Sequence, residues 1–229
     1  MLKTAATQPE ASKMKLDILI VDDHPIVCKG LTLLINSEVD MEVCGEAPGV
    51  AEAMQIVFEK RPQFVIVDIS LENGSGLELV REILTVNRQT KILVNSLHDE
   101  TFYAERVLRL GAKGYINKSE ATERIVEAIR TVQKGKIYLS DKMKEHLLSR
   151  SVGIPLLEEE QSPIDRLSDR ELEVFEMLGQ GLSVKDIADK LHLSPKTVET
   201  YRDSIKNKLL LDCSREVMHY AINWVRDQA

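Results

Sequence analysis

Five polar residues stand directly after short apolar runs: Asp22 and Asp23 after LDILIV, Asp68 after QFVIV, Ser96 after KILVN and Lys118 after GYIN. Together they offer three carboxylates, a hydroxyl and an ammonium, a set that phosphoryl chemistry could use. Crowded carboxylates repel one another, so the cluster needs either a raised pKa or a hard divalent cation with oxygen ligands. Mg2+ suits it better, because it binds through one or two carboxylates and keeps positions for water and phosphate oxygens. Taken singly, each residue has an ordinary explanation: an Asp often caps a following helix, and Lys118 could be a solvated surface charge. All five at successive strand ends are much harder to obtain by accident.

The elements that must position them follow from periodicity. Strand-like runs are expected near 16–21, 42–46, 63–67, 91–95 and 114–117, alternating with helical patterns near 25–37, 50–60, 76–87, 100–110 and 120–133. In the first helix Val27, Leu31, Leu34 and Ile35 keep the spacing of one buried face. This alternation predicts an α/β fold, a doubly wound five-stranded parallel sheet. In such sheets ligands bind beyond the carboxyl ends of the strands, where the five residues would meet. Residues 1–15 read as a disordered leader, and 16–135 as the first domain. Residues 136–167 read as a short helix from Asp141 to Arg150 followed by an interdomain linker, SVGIPLLEEEQSPIDR, with Gly, two prolines and an acidic run. Residues 168–229 carry only helical patterns, with Ser168 and Glu171 as a capping box opening a helix at 169–179.

At 229 residues, 43% hydrophobic and 29% charged, the chain has room for two domains and can bury a proper core. No apolar stretch approaches a membrane span, and MLKTAATQPEASKMK lacks the apolar middle of a secretory signal, so a cytoplasmic protein without a membrane partner is expected. Cys28, Cys44 and Cys213 are odd in number, widely spaced and not arranged as metal ligands, which suits reduced thiols. A formal charge of −7 argues against a nucleic-acid binder held by bulk charge.

VDDHP, VDIS followed by GSGLELV, NSLHDE and GAKGYINKS resemble, in order, the four signature segments of a two-component receiver domain. The resemblance implies Asp68 as phosphoacceptor for a sensor histidine kinase. It implies Mg2+ held by Asp22, Asp23, Asp68 and the backbone carbonyl of Ser70, and phosphoryl contacts from Ser96 and Lys118. Tyr115 sits where receivers carry an aromatic switch whose ring moves inward as the Ser or Thr shifts. Two departures stand out: the loop after Asp68 lacks a frequent Pro, and Ser119 follows Lys118 where many receivers have Pro. His24 reads as an N-terminal helix residue rather than a metal ligand. His98, two residues beyond Ser96, is a candidate for altering the lifetime of the acyl phosphate.

LSDRELEVFEMLGQGLSVKDIADKLHLSPKTVETYRDSIKNKL resembles the helix-turn-helix domain of the NarL/FixJ, or LuxR-type, regulators. In physical terms Val184 to Leu191 makes a scaffold helix, Ser194 a cap, and Pro195 starts the recognition helix, where its missing N–H costs nothing. Residues 168–229 hold nine Lys or Arg against eleven Asp or Glu, but Lys196, Arg202, Lys206 and Lys208 concentrate on the recognition segment. Phosphate contacts are expected from Lys196, Thr197, Tyr201 and Lys208, and base-edge contacts from among Thr200, Arg202, Asp203 and Lys206. In similar regulators the last helix carries DNA-bound dimerisation, here assigned to Val217, Ala221 and Trp224. Leu210 stands where the family often has Gly.

The expectation is therefore a phosphorylation-controlled transcription factor: promoter DNA and a homodimer as partners, with the unphosphorylated receiver holding or occluding the recognition helix. A phosphatase of the haloacid-dehalogenase kind would need a second Asp two residues beyond the nucleophile, where this chain has Ser70. A regulator whose receiver only binds partners is the other alternative, and the intact set of five argues against it.

Overall fold

A computed structural model describes residues 15–152 and 162–228; the leader expected before residue 15, and 153–161 of the expected linker, lie outside the described residues. Five parallel strands, β1 (Leu16–Val21), β2 (Met41–Ala47), β3 (Phe64–Val67), β4 (Lys91–Ser96) and β5 (Gly114–Asn117), form one sheet in the order β2-β1-β3-β4-β5. Each is followed by a helix: α1 (Pro25–Asn36), α2 (Val50–Lys60), α3 (Gly76–Val86), α4 (Glu100–Leu110) and α5 (Lys118–Gln133). β3 is buried at every residue, as expected for a strand covered by helices on both faces. One apolar cluster joins β-strand residues to α1 and α5 through Leu31, Ile35, Ile125 and Ile129. The opposite face packs on α2, α3 and α4.

Local chemistry sets where these helices begin. Asp99 caps α4 by accepting from Thr101 N at 2.8 Å, and Asn117 caps α5 by accepting from Ser119 N at 2.9 Å. α5 thus starts at Lys118 itself, two residues earlier than the periodicity predicts. α3 starts against the backbone that leaves β3: Gly76 N donates to Ile69 O at 2.9 Å, and a Cβ at Gly76 would lie 1.9 Å from Asp68 O.

The second unit begins after α6 (Asp141–Val152) with a 3-10 turn, Pro163–Arg166, and continues through α7 (Asp169–Gly179), α8 (Val184–Lys190), α9 (Pro195–Lys208) and α10 (Ser214–Asp227). Ser168 with Glu171, and Ser183 with Asp186, form capping boxes. Ser194 caps α9 by accepting from Thr197 N at 3.1 Å, with Pro195 at its start. The turn from α9 into α10 places Leu210 at φ 56, so a leucine adopts the left-handed conformation for which a glycine is favoured. No helix among the described residues is long and apolar enough to cross a membrane.

The two units are docked. The apolar cluster on the α2–α4 face runs on through Leu139, Met143, Ile164 and Leu167 into Leu172, Phe175, Ala221 and Trp224. Phe102 of α4 meets Trp224 of α10 edge to face, ring centroids 5.2 Å apart. Arg106 Nη1 donates to Leu167 O at 2.7 Å and contacts Asp169 at 3.2 Å, fastening the segment that enters α7.

Candidate functional site

The carboxyl ends of β1, β3, β4 and β5 bring Asp22, Asp68, Ser96 and Lys118 together, at the point between β1 and β3 where strand order reverses. Asp22 and Asp68 are almost fully buried, 4% and 3% exposed. Lys118 Nζ sits between them, 2.7 Å from Asp22 Oδ2 and 2.7 Å from Asp68 Oδ2. Burial raises the Asp68 carboxyl above its ordinary range, with Asp22 adding and Lys118 opposing. Burial alone would pull the Lys118 ammonium down, but Asp68 and Asp22 outweigh it and hold it above its usual value. One ammonium between two buried carboxylates leaves one negative charge uncompensated.

A cation held beside these carboxylates would offset that charge. Asp22, Asp23, His24 and Asp68 offer ligand atoms all within 4.8 Å of one another. His24 sits at the N-cap of α1, and its Nδ1 lies 2.7 Å from Asp23 Oδ1 and 3.1 Å from Asp22 Oδ1. The expected helix-start position holds, and the ring also faces both carboxylates. Three oxygen-donor side chains at this spacing fit a hard divalent ion. Ser70, whose backbone carbonyl was the fourth expected ligand, is exposed; its N donates to Asp68 Oδ1 at 3.3 Å and its Oγ lies 2.6 Å from His98 Nε2.

Ser96 is fully buried, and its hydroxyl lies beside Asp68 and Tyr115 without a well-formed hydrogen bond to either. A buried hydroxyl without a partner is costly, and an oxyanion on Asp68 would satisfy it. The Tyr115 ring is already buried, and its hydroxyl donates to His98 O at 2.7 Å. The cleft in front of Asp68, about 270 Å3, is walled on one side by Ser96, His98 and Lys118 and on the other by Glu176, Gln180 and Trp224 of the helical unit.

Sequence reasoning missed that second wall. Glu171, Glu173 and Glu176 all belong to the first helix of the second unit, and all three are buried. Glu173 accepts from Ser75 Oγ, and its other oxygen lies 2.7 Å from Arg170 Nη1. Glu176 accepts from Tyr103 Oη at 2.6 Å and lies 2.6 Å from His98 Nδ1. Burial would depress the His98 imidazole, but the Glu176 hydrogen bond and charge outweigh it and raise its pKa. A backbone bond from Gly74 N to Lys190 O at 3.2 Å closes the same seam. Nothing in a single sequence distinguishes these acids from exposed ones.

The docking corrects one expectation and bears on another. The receiver does not cover the recognition helix: Lys196, Thr200 and Asp203 of α9 are exposed, and it is α7 and α10 that face the receiver. The side chains assigned to dimerisation are buried in the docked form. Val217 and Ala221 have no exposed surface, because they pack on the helical core, and Trp224, 9% exposed, packs against Phe175 and Phe102. On α9, Thr197 shares a hydrogen bond with the cap Ser194 at 2.8 Å, and Thr200 Oγ1 donates to Lys196 O at 3.0 Å. Tyr201, Arg202 and Lys206 are half-buried, Arg202 lying 3.2 Å from Glu199. Lys208 is engaged by Glu171 at 2.6 Å.

Comparison with known proteins matches residues 18–130 to the response regulator receiver domain and residues 165–221 to the bacterial regulatory proteins of the luxR family. Oxygen regulatory protein NreC of Staphylococcus epidermidis is 39% identical over 209 residues, 90% of this chain and 96% of the relative. This chain is a response regulator of the NarL/FixJ type. NreC of Staphylococcus carnosus is 38% identical over 208 residues, again 90% of this chain and 96% of the relative. Among solved structures, RcsB from Salmonella enterica serovar Typhimurium, bound to a promoter in the presence of phosphomimetic BeF3-, aligns with TM-score 0.68 and 25% identity over 90% of this chain and 98% of its own. A LuxR-family response regulator from Aurantimonas aligns with TM-score 0.56 and 30% identity over 60% of this chain and 99% of its own. This response regulator accordingly pairs a receiver with a LuxR-type DNA-binding domain, and its relatives are transcription regulators rather than enzymes.

Proposed function

We propose that a sensor histidine kinase phosphorylates Asp68, and that the phosphoryl group controls promoter occupancy by the LuxR-type domain. The observation that carries this reading is the convergence of Asp68, Ser96 and Lys118, with Asp22 against Lys118, at one cleft whose far wall is the DNA-binding domain. An Asp68 oxygen attacks the phosphorus of a phosphohistidine; the new P–O bond forms as the P–N bond breaks, and the imidazole nitrogen takes a proton. Asp22, Asp23, Asp68 and the Ser70 carbonyl would hold Mg2+, which when bound offsets charge on the transferring phosphoryl oxygens. Lys118 and the Ser96 hydroxyl then bond the phosphoryl oxygens, and movement of Ser96 is read by Tyr115.

Release of the docked form frees α7 and α10. The recognition helix then enters the major groove of promoter DNA with Lys196, Thr197, Thr200, Tyr201, Arg202 and Lys206, while Lys208 contributes only if it leaves Glu171. A homodimer on DNA would use the open side of α10, where Ile222 is 43% exposed, rather than its buried side. The setting is cytoplasmic. Incubation with acetyl phosphate and Mg2+ tests the chemistry: intact-mass measurement should show one added phosphoryl group, lost in Asp68→Asn and without Mg2+. An unchanged yield in Asp68→Asn would assign the group elsewhere.

A further inference from the structure

Glu176 belongs to the DNA-binding domain, yet it lines the cleft of the phosphoacceptor. It is 9% exposed, and its two oxygens face different receiver groups: Oε1 lies 2.6 Å from His98 Nδ1 and Oε2 accepts from Tyr103 Oη at 2.6 Å. Its partners across the seam thus both belong to the receiver. His98 is in turn tied to the loop after Asp68, Nε2 to Ser70 Oγ at 2.6 Å, and to Tyr115 through its carbonyl. Glu173, one helical turn earlier, is as deeply buried at the same seam, but its partners are Ser75 and Arg170, and it does not line the Asp68 cleft. One interface thus contains two buried carboxylates, of which one faces the phosphoryl pocket.

We propose that Glu176 is a charge sensor supplied by the DNA-binding domain: in the docked form it opposes negative charge added at Asp68, and in the released form it does not. The proposal rests on the reading of Asp68 as phosphoacceptor. Relative to the site already holding Mg2+, phosphorylation adds one negative charge, and Lys118 is already shared between Asp22 and Asp68. Like charges lining one cleft repel, and a ligand shifts an equilibrium only by its difference in affinity for the two states. Repulsion by Glu176 supplies such a difference directly, without passage through the sheet or the distal helices.

Trp224 is the only tryptophan in the chain and packs on Phe102 across the domain seam, so its emission reports docking in the full-length protein. The opening equilibrium is measured in Mg2+ with and without beryllofluoride, while the 19F resonance of bound beryllofluoride reports occupancy of Asp68 separately. In the unaltered protein, beryllofluoride should shift the equilibrium toward the released form. Glu176→Gln should raise basal opening and shrink the beryllofluoride-induced shift by about tenfold, within the usual range of coupling between sites. Tyr103→Phe and Glu173→Gln should raise basal opening but keep the full shift, because the charge facing the pocket remains. Glu176→Ala carries the same expectation as Glu176→Gln and keeps the test decisive if the first variant does not fold. A full-sized shift in both Glu176 variants overturns the proposal, as does an equal loss of shift in Glu173→Gln. Bound beryllofluoride with no change at Trp224 overturns the proposal alone; absence of the 19F signal overturns the phosphorylation reading with it.

Discussion

Glu171 shows how much one buried carboxylate can organise. Its oxygens meet Ser168 N at 2.6 Å, Ser204 Oγ at 2.5 Å and Lys208 Nζ at 2.6 Å, so it caps α7 and ties α9 to it. Burial would raise its pKa, but these bonds outweigh it and hold the carboxyl down at about 2, against 4.5 for a free Glu. A depressed folded-state pKa gives stability that is fully present above about 4.5 and is lost as pH falls toward 2. Urea denaturation followed across that window should show a declining midpoint for the helical domain, and a flatter profile in Glu171→Gln. At this scale the sequence reveals residues whose role follows from place in a motif: Asp22, Asp68, Ser96 and Lys118 do meet. It reveals Glu171 as a capping-box partner but not the burial of Glu171, Glu173 or Glu176, because burial of an acid is decided by partners distant in sequence.

Element boundaries are set by caps and close approaches that periodicity only partly encodes. α3 can begin where it does because Gly76 admits the Asp68 carbonyl into the space a Cβ would fill. Gly76→Ala must push the start of α3 away from the phosphoacceptor. It should cost about 1–3 kcal/mol of stability, measured by denaturation, and slow phosphoryl uptake from acetyl phosphate. The turn between α9 and α10 gives the opposite case. Leu210 is 81% exposed and sits at φ 56, so its side chain brings strain and little burial. Leu210→Gly should raise the melting temperature, a gain of about 0.5–1 kcal/mol after the greater freedom of glycine in the unfolded chain is offset. The strands and the helix-turn-helix were legible because hydrophobic periods and turn residues are local signals. The start of α5 at Lys118 was not, because it depends on the Asn117 cap.

At the scale of the whole molecule, docking of α7 and α10 on α4 decides which surfaces are free. The recognition helix remains open on its Lys196, Thr200 and Asp203 side, so control of DNA occupancy cannot rest on covering those residues. Under the proposed function it would rest instead on the geometry in which two domains of a dimer approach successive half-sites, and on removal of the receiver from the α7–α10 face. Two-domain organisation is readable from the change of rhythm after residue 135, but the docked face is not, since it depends on which polar groups find partners across the seam. The most direct measurement is the affinity of the full-length protein for duplexes selected from random DNA, by fluorescence anisotropy at fixed salt, with and without beryllofluoride and Mg2+. Tighter binding by about tenfold in the unaltered protein, absent in Asp68→Asn, is expected. Equal affinity in all four conditions would contradict control of DNA binding through Asp68.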